Sequence, residues 1–195
     1  MSKKVFIDCG GLNGCSVRYF LDNFENSNEY EIYTFEPNLD FDETYDEIKN
    51  KLGEKFTRYK KAVSNYNGNI TFFKNENNPS SNTTNPIKGN KPNCGSDIKG
   101  NVSQCVVECI DIDEWIRSNF SSTDYIILKL DVEGSEYDIV PKMIKNKTFL
   151  MIDELHLEWH PYSCEVPTIY GKFLSEMISK TYNVKVNDKW NTMGY

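Results

Sequence analysis

Asp8–Gly14 reads D-C-G-G-L-N-G and directly follows the apolar run Val5–Ile7. A helix-like pattern comes next, with Val17, Phe20 and Phe24 among its apolar positions. A strand that ends in a carboxylate, followed by a glycine turn and a helix, is typical of a pocket for a nucleotide-like cofactor. The helix N-terminus offers free N–H groups there, and glycine lets a ligand approach the backbone. The alternative is a tight turn whose carboxylate only caps nearby groups.

The carboxylate of Asp8 narrows the choice of ligand. A dinucleotide pyrophosphate favours G-x-G-x-x-G with no anion at the strand tip, and the turn lacks that spacing. An ammonium or a sulfonium is attracted to a carboxylate instead. The motif therefore indicates S-adenosylmethionine, with Asp8, Gly10, Asn13 and Gly14 as the predicted binding residues.

A second acidic residue follows a second predicted strand. Tyr30–Phe35 alternates like a strand and ends at Glu36, where Pro37 stops the ladder of hydrogen bonds. An acidic side chain about twenty residues after such a glycine turn accepts hydrogen bonds from both ribose hydroxyls. Because NAD and S-adenosylmethionine both carry this ribose, Glu36 and Pro37 predict a nucleoside site without separating the two cofactors.

The third element is the nearly continuous apolar run Tyr125–Leu130, typical of a strand that is buried on both faces of a parallel sheet. It is followed by Asp131 and Glu133, and Gly134 then turns the chain into a helix. Ligands of open parallel sheets bind at the carboxyl ends of the strands, so both carboxylates are predicted to lie beside the cofactor. The alternative is that they only favour the positive end of the helix.

Three blocks resemble the FkbM-type methyltransferases: I-D-C-G-G-L-N-G at Ile7–Gly14, F-E-P-N at Phe35–Asn38 and L-K-L-D-V-E-G-S-E at Leu128–Glu136. The third block is the most specific. The resemblance implies an α/β, Rossmann-like class I methyltransferase fold, with a mostly parallel seven-strand sheet and helices on both faces. It also implies methyl transfer from S-adenosylmethionine, commonly to a hydroxyl of a sugar or a glycosylated metabolite.

Two positions depart from the pattern of that family. The family often has Asn where Leu12 stands, and here Asn13 follows instead. Pro141 falls inside what is usually one helix, and proline breaks or restarts a helix. We therefore predict that Ser135–Asn146 forms a short turn and then a second helix with Pro141 in its first turn.

Phe149–His160 contains both histidines of the chain. In an extended segment, period-two geometry places its alternating polar residues on one face. These residues are Glu154, His156, Glu158 and His160. Three interpretations stay open: the acid–base wall of a substrate pocket, a divalent metal site completed by Asp131, or the solvated face of an edge strand.

The proposed reaction defines what the catalytic residues must do. A sulfonium methyl needs no general acid, because its thioether leaves as a neutral group. The acceptor hydroxyl must be aligned and must lose its proton. The predicted bases are, in order, His156, Asp131 and Glu158, and the same three residues form the alternative metal site. Glu154 and His160 are predicted substrate contacts.

The remaining chain alternates between helix and strand patterns. The predicted elements are helix Asp40–Leu52, strands Phe56–Val63, Asn69–Lys74 and Gln104–Ile110, a helix near Pro167–Lys180 and a strand at Tyr182–Val186. Ala62 is predicted to lie along the adenine edge. Asp111 is predicted to cap the helix that contains Trp115.

Asn75–Asn101 is rich in Asn, Ser, Pro and Gly and almost free of large apolar residues. A loop of this length inside a compact domain is usually a lid or disordered. We predict a flexible, substrate-gating loop within one domain that covers residues 1–195. Its predicted substrate contacts are Ser80, Ser81, Asn82 and Thr83.

The composition of the 195-residue chain fits one enzyme domain. Its formal net charge of −7 argues against nucleic acid and favours a neutral or cationic acceptor, such as a small molecule or a carbohydrate. Since no apolar run approaches about 18 residues and no signal-peptide core follows the N-terminus, a cytoplasmic location is expected. The sequence gives no oligomeric state. Two rival functions remain: an NAD-type oxidoreductase and a non-catalytic scaffold or binding domain.

Overall fold

The computed structural model describes residues 2–90 and 102–188. The strands within these ranges are β1 Lys4–Cys9, β2 Glu31–Phe35, β3 Phe56–Tyr59, β4 Ala62–Ser64, β5 Gly68–Asn75, β6 Val102–Asp111, β7 Tyr125–Leu130, β8 Glu154–Leu157 and β9 Lys185–Asn187. The helices are α1 Cys15–Asn23, α2 Asp42–Leu52, α3 Pro86–Gly89, α4 Ile112–Asn119, α5 Glu136–Lys145, α6 Pro161–Cys164 and α7 Thr168–Tyr182.

A central parallel sheet has the strand order β3-β2-β1-β7-β8-β9. The chain runs outward from β1 to β3 and then returns to place β7 on the other side of β1. In open parallel sheets, the crevice at such a reversal is where ligands bind. The register sets Asp8 of β1 beside both Thr34 of β2 and Lys129 of β7. The acidic ends of these strands therefore meet at one point.

The prediction of seven strands in this sheet was slightly wrong, because six strands form it within the described residues. Strands β4, β6 and β5 form a separate three-stranded sheet, in which β5 runs antiparallel to β6. The predicted strand Phe56–Val63 is also divided. It is interrupted at Lys60 and Lys61, so Phe56–Tyr59 joins the central sheet and Ala62–Ser64 joins the small one.

Helices cover both faces of the central sheet, as predicted. Alternation along β1 sends Phe6 to the layer under α1 and α2, where its ring stacks on Phe20 at 4.1 Å. Val5 and Ile7 belong to the opposite layer, which α4, α5 and α7 cover. The side chain of Asp8 is fully buried on the first face. The fold thus places a carboxylate inside an apolar layer next to the crevice.

The prediction that Pro141 restarts a helix was wrong. The single helix α5 runs through it from Glu136 to Lys145. Ile139, Val140 and Met143 are at most 1% exposed on the core side of this helix. Burial of these side chains offsets the missing backbone hydrogen bond of the proline.

Most other predicted elements are confirmed, with bounds shifted by a few residues. The polar cap also forms as predicted, since the side chain of Asp111 accepts a hydrogen bond from the Glu114 N–H at 3.3 Å. The last strand begins later than predicted, at Lys185.

Candidate active site

A pocket lies at the carboxyl ends of the strands that meet at the sheet reversal. It is lined by predicted cofactor residues from several elements: Gly10, Glu36, Pro37, Ala62, Asp131 and Glu133. Predicted catalytic and substrate residues also line it: Asp131, Glu158, Ser80, Asn82 and Thr83. The structure therefore brings all three sequence blocks to one cavity.

The glycine turn after β1 is required by close backbone packing. The N–H groups of Gly10 and Gly11 both donate to the Phe35 carbonyl, at 3.1 and 3.3 Å. A Cβ on Gly10 would lie 1.8 Å from the Asp131 carbonyl oxygen, and the φ of Gly10 is +83°. Only glycine tolerates both conditions. The turn thus holds the ends of β1, β2 and β7 together at the pocket.

Glu36 presents a carboxylate that the backbone fixes in place. It accepts hydrogen bonds from the Leu12 N–H at 2.9 Å and the Asn38 N–H at 2.8 Å, and the residue is 6% exposed. Burial raises the pKa of Glu36 to about 7, although these two hydrogen bonds oppose the shift. Arg58 secures the same turn by donating to the carbonyls of Glu36 and Asn38 at 3.3 and 2.8 Å.

Asp8 does not line the pocket. Its side chain is fully buried below the turn, where the Thr34 hydroxyl lies 3.5 Å from Oδ2 and the Lys129 ammonium lies 3.3 Å from Oδ1. Burial raises the pKa of Asp8, while Lys129 lowers it in part. The cation that this carboxylate attracts is therefore a side chain of the protein itself.

Asn13 and Gly14, also predicted to bind the cofactor, shape the start of α1. The Asn13 side chain accepts from the Cys15 N–H at 3.2 Å, and Gly14 takes φ +76°. Neither residue lines the pocket that contains Glu36.

The structure does not bring His156 or Glu154 to the pocket. The His156 ring lies edge-on to Phe24 at 5.6 Å, with Nδ1 3.3 Å from Asn187. Burial lowers the pKa of His156 to about 4. Glu154 pairs with Lys185 at 2.8 Å. Both side chains project from within β8, whereas the pocket lies beyond the carboxyl end of that strand.

His160 occupies the position beside the pocket that was predicted for His156. Its Nε2 lies 3.4 Å from Glu133, 3.8 Å from Asp131 and 3.8 Å from Glu158. Its Nδ1 lies 3.3 Å from Glu136. Although burial opposes protonation, Glu136 and, to a smaller extent, Asp131 raise the pKa of His160 overall.

Glu136 is fully buried and organises the turn between β7 and α5. Its two oxygens accept hydrogen bonds from the Val132 and Gly134 N–H groups, at 2.7 and 2.8 Å. The acidic turn after β7 is thus closed by its own side chain, which leaves Asp131 and Glu133 to face the pocket.

The family description "Methyltransferase FkbM domain" matches residues 8–177. The chain belongs to this family. The match includes the glycine turn, Glu36 and the acidic turn after β7, so the resemblance noted in the sequence is confirmed. Comparisons with curated proteins and with solved structures find no match. Among the helices of the described ranges, none has the length and apolarity that a membrane crossing requires.

Within residues 2–90 and 102–188, the FkbM domain holds one group of side chains whose geometry would suit a metal ion. Asp131, Glu133 and His160 each offer a ligand atom, and these atoms lie within 4.8 Å of one another. The set differs from the predicted alternative of Asp131, His156 and Glu158, because His156 lies within β8. Lys88 of α3 forms an ion pair with Glu133, and its side chain is buried.

The segment predicted as a gating loop packs against the acidic turn where it is described. Thr83 Oγ1 donates to the Glu133 carbonyl at 2.7 Å, and the Thr84 hydroxyl lies 2.7 Å from that of Ser135. Ser81 instead donates to the Asn78 carbonyl and does not line the pocket. Residues 91–101 of the predicted loop lie outside the described residues, and its flexibility and gating role stay predictions.

Sequence reasoning missed two lysines of the FkbM domain. Lys129 had a usable signal, since it interrupts the otherwise apolar strand β7. A lysine at such a position must find a buried partner. Lys88 had none, because it lies in a polar segment without periodicity.

Proposed function

We propose that this FkbM domain transfers a methyl group from S-adenosylmethionine to a hydroxyl of a sugar, a glycan or a glycosylated metabolite. One observation carries the proposal. The backbone-anchored carboxylate of Glu36 and the carboxylates of Asp131 and Glu158 line the same pocket. The same pocket thus offers one carboxylate to bind the ribose of the cofactor and two carboxylates to accept the proton of the acceptor hydroxyl.

The residues that line one part of the pocket fit the cofactor. Gly10 allows close approach to the backbone, and Glu36 has lone pairs left for the ribose hydroxyls after its two backbone contacts. Ala62 and Val63 provide apolar surface for the adenine. When bound, S-adenosylmethionine supplies a methyl group that a sulfonium has already activated.

The remaining task of the protein is to align the acceptor hydroxyl and take its proton. Asp131 is our first candidate, because it is 8% exposed and Lys129 holds one of its oxygens at 3.2 Å. Glu158 is the second. His160 is not a candidate base, because it does not line the pocket and its Nδ1 lies 3.3 Å from the buried Glu136. Its Nε2 lies 3.4–3.8 Å from Asp131, Glu133 and Glu158, and we assign it the role of holding these carboxylates in place.

The charge of the pocket supports a neutral or cationic acceptor. Its lining includes four carboxylates, from Glu36, Asp131, Glu133 and Glu158. Phosphorylated acceptors would be repelled by these groups. Ser80 and Asn82 offer hydroxyl and amide groups for the hydroxyls of a sugar. We therefore place an uncharged or amino-bearing carbohydrate first among acceptors, and we keep the cytoplasm as the expected location.

Proton removal through a divalent ion at Asp131, Glu133 and His160 is the alternative route. We favour a side-chain base, because the ammonium of Lys88 already neutralises Glu133. Treatment with a chelator should then leave methyl transfer unchanged. Loss of activity that Mg²⁺ or Mn²⁺ restores would establish the metal route instead.

The first experiment is calorimetric titration of the protein with S-adenosylhomocysteine and, in parallel, with NAD⁺. Micromolar binding of the first and none of the second is expected. Binding of NAD⁺ alone would favour an oxidoreductase, and no binding of either would favour a scaffold. Radiolabelled methyl transfer to neutral, amino and phosphorylated sugars then tests the acceptor. Asp131→Asn should abolish transfer and retain affinity for S-adenosylhomocysteine.

A further inference from the structure

Lys129 is a lysine buried in the centre of the main sheet. It lies in β7, one residue before the strand ends, and it is 1% exposed. An ammonium is almost never fully buried unless it is paired, because removing it from water is costly. Its position therefore requires specific partners.

The ammonium has partners on two neighbouring strands. It donates to the Gly10 carbonyl at 2.6 Å and lies 3.3 Å from Asp8 Oδ1 and 3.2 Å from Asp131 Oδ2. The contact with Gly10 is a hydrogen bond, and the contacts with the two carboxylates are ion pairs. The group thus bridges the end of β1 and the end of β7.

Two of these partners, Gly10 and Asp131, line the pocket, whereas Asp8 lies beneath it. Gly10 belongs to the turn that we assign to the cofactor, and Asp131 is the first candidate base. Because Oδ2 of Asp131 is engaged by Lys129, Oδ1 is the oxygen directed toward His160, at 3.8 Å. Asp8 supplies a second negative charge, which stabilises the buried ammonium from below.

We infer that Lys129 is a positioning residue that couples the cofactor turn to the base. It fixes the Gly10 carbonyl and the rotamer of Asp131 through one buried ammonium, and Asp8 serves as its counter-ion rather than as a cofactor ligand. This inference rests on the proposed function. Loss of Lys129 should therefore weaken cofactor binding, although Lys129 itself does not line the pocket.

The test compares three variants by calorimetric titration with S-adenosylhomocysteine. Lys129→Met removes the ammonium but leaves Asp8 buried without it. The double variant Asp8→Asn/Lys129→Met removes both charges and so protects folding. Lys142→Met is the matched control, because Lys142 also joins a carboxylate, Asp111, to a backbone carbonyl, that of Asn65, and none of these three residues lines the pocket.

The expected result is affinity at least tenfold weaker in both Lys129 variants, which corresponds to about 1.4 kcal/mol. The Lys142 variant should lose stability but keep the wild-type affinity. A folded double variant that binds within twofold of the wild type would overturn the role of Lys129 alone. A wild type that does not bind S-adenosylhomocysteine would overturn the proposed cofactor, and this inference with it.

A measurement on the wild type covers the case in which neither Lys129 variant folds. In protein labelled with ¹⁵N-lysine, the protected ammonium of Lys129 should give a slowly exchanging Nζ signal. Since this ammonium contacts Gly10 and Asp131, the signal should shift when S-adenosylhomocysteine is added. An unshifted signal at saturating ligand would refute the coupling.

Discussion

The substitution Glu36→Gln tests the proposed nucleoside anchor most directly. Both carboxylate oxygens accept backbone N–H groups, so the amide NH₂ must face the N–H of either Leu12 or Asn38. One hydrogen bond to a charged group is lost, which costs about 1.5–3 kcal/mol. If the ribose hydroxyls depend on the same carboxylate, affinity for S-adenosylhomocysteine should fall by about 10- to 150-fold.

The raised pKa of Glu36 also predicts how the free energy of unfolding changes with pH. Burial raises this pKa from 4.5 to about 7, so between these values the folded protein holds more protons than the unfolded chain. Its free energy of unfolding should therefore fall by about 3 kcal/mol as the pH rises through this window. The variant lacks this dependence. Relative to the wild type, it should gain about 3 kcal/mol in stability between pH 4.5 and pH 8.

The assay is urea unfolding, followed by circular dichroism at several pH values, with calorimetry at the same pH. Because ribose hydroxyls donate to the ionised form, wild-type affinity should rise with pH up to about 7, while that of the variant stays level. Glu47→Gln, an exposed position on α2, is the control and should track the wild type. The reasoning would be refuted if the free energy of unfolding depended on pH equally in Glu36→Gln and the wild type. It would also be refuted if their affinities for S-adenosylhomocysteine agreed within twofold.

Three further substitutions test other features of the fold. His156→Gln should leave the affinity for S-adenosylhomocysteine unchanged. Because burial lowers the pKa of His156 to about 4, the wild type should lose up to about 3 kcal/mol of its free energy of unfolding as the pH falls from 6.5 to 4. Urea unfolding should show that the variant lacks this loss. Pro141→Ala restores a donor for the Tyr137 carbonyl and should raise the melting temperature by about 2–4 °C or more, so an unchanged value would contradict the account of α5. Leu12 has a left-handed φ of +46°, which strains a leucine backbone but is tolerated by asparagine. Leu12→Asn should therefore raise the free energy of unfolding in urea by up to about 1–2 kcal/mol, and a decrease would show that Leu12 is not strained.

The three sequence blocks predicted the central fold because each one ends a strand with a carboxylate or a glycine. Parallel strands present their carboxyl ends at one edge, so Gly10, Glu36 and Asp131 had to converge once the strands were identified. Their backbone contacts were not predictable in detail. The tight approach of Gly10 to the Asp131 carbonyl depends on the pairing of β1 with β7, which local sequence does not specify.

The small second sheet was missed because periodicity describes a strand and not its partner. The run Phe56–Val63 reads as one strand, yet the chain leaves the central sheet at Lys60 and continues in another. The neighbour of Asp8 was not predicted, for a related reason. The sequence showed a carboxylate that attracts a cation, but the cation is Lys129, more than a hundred positions away in the chain. The sequence alone did not predict this partner.

The two histidines show the limit of a prediction that places alternating polar residues on one face of a strand. The alternation of polar residues predicted one extended segment through His160, but pairing with β7 ends at Leu157. Beyond that point the side chains no longer follow the sheet. His156 is therefore held inside β8 beside Phe24, whereas His160 lies past the strand end, 3.8 Å from Asp131. Ligands of open parallel sheets bind just after the strands, so a polar residue beyond the last paired position is a better candidate for a place beside the ligand than an equally polar residue within the strand.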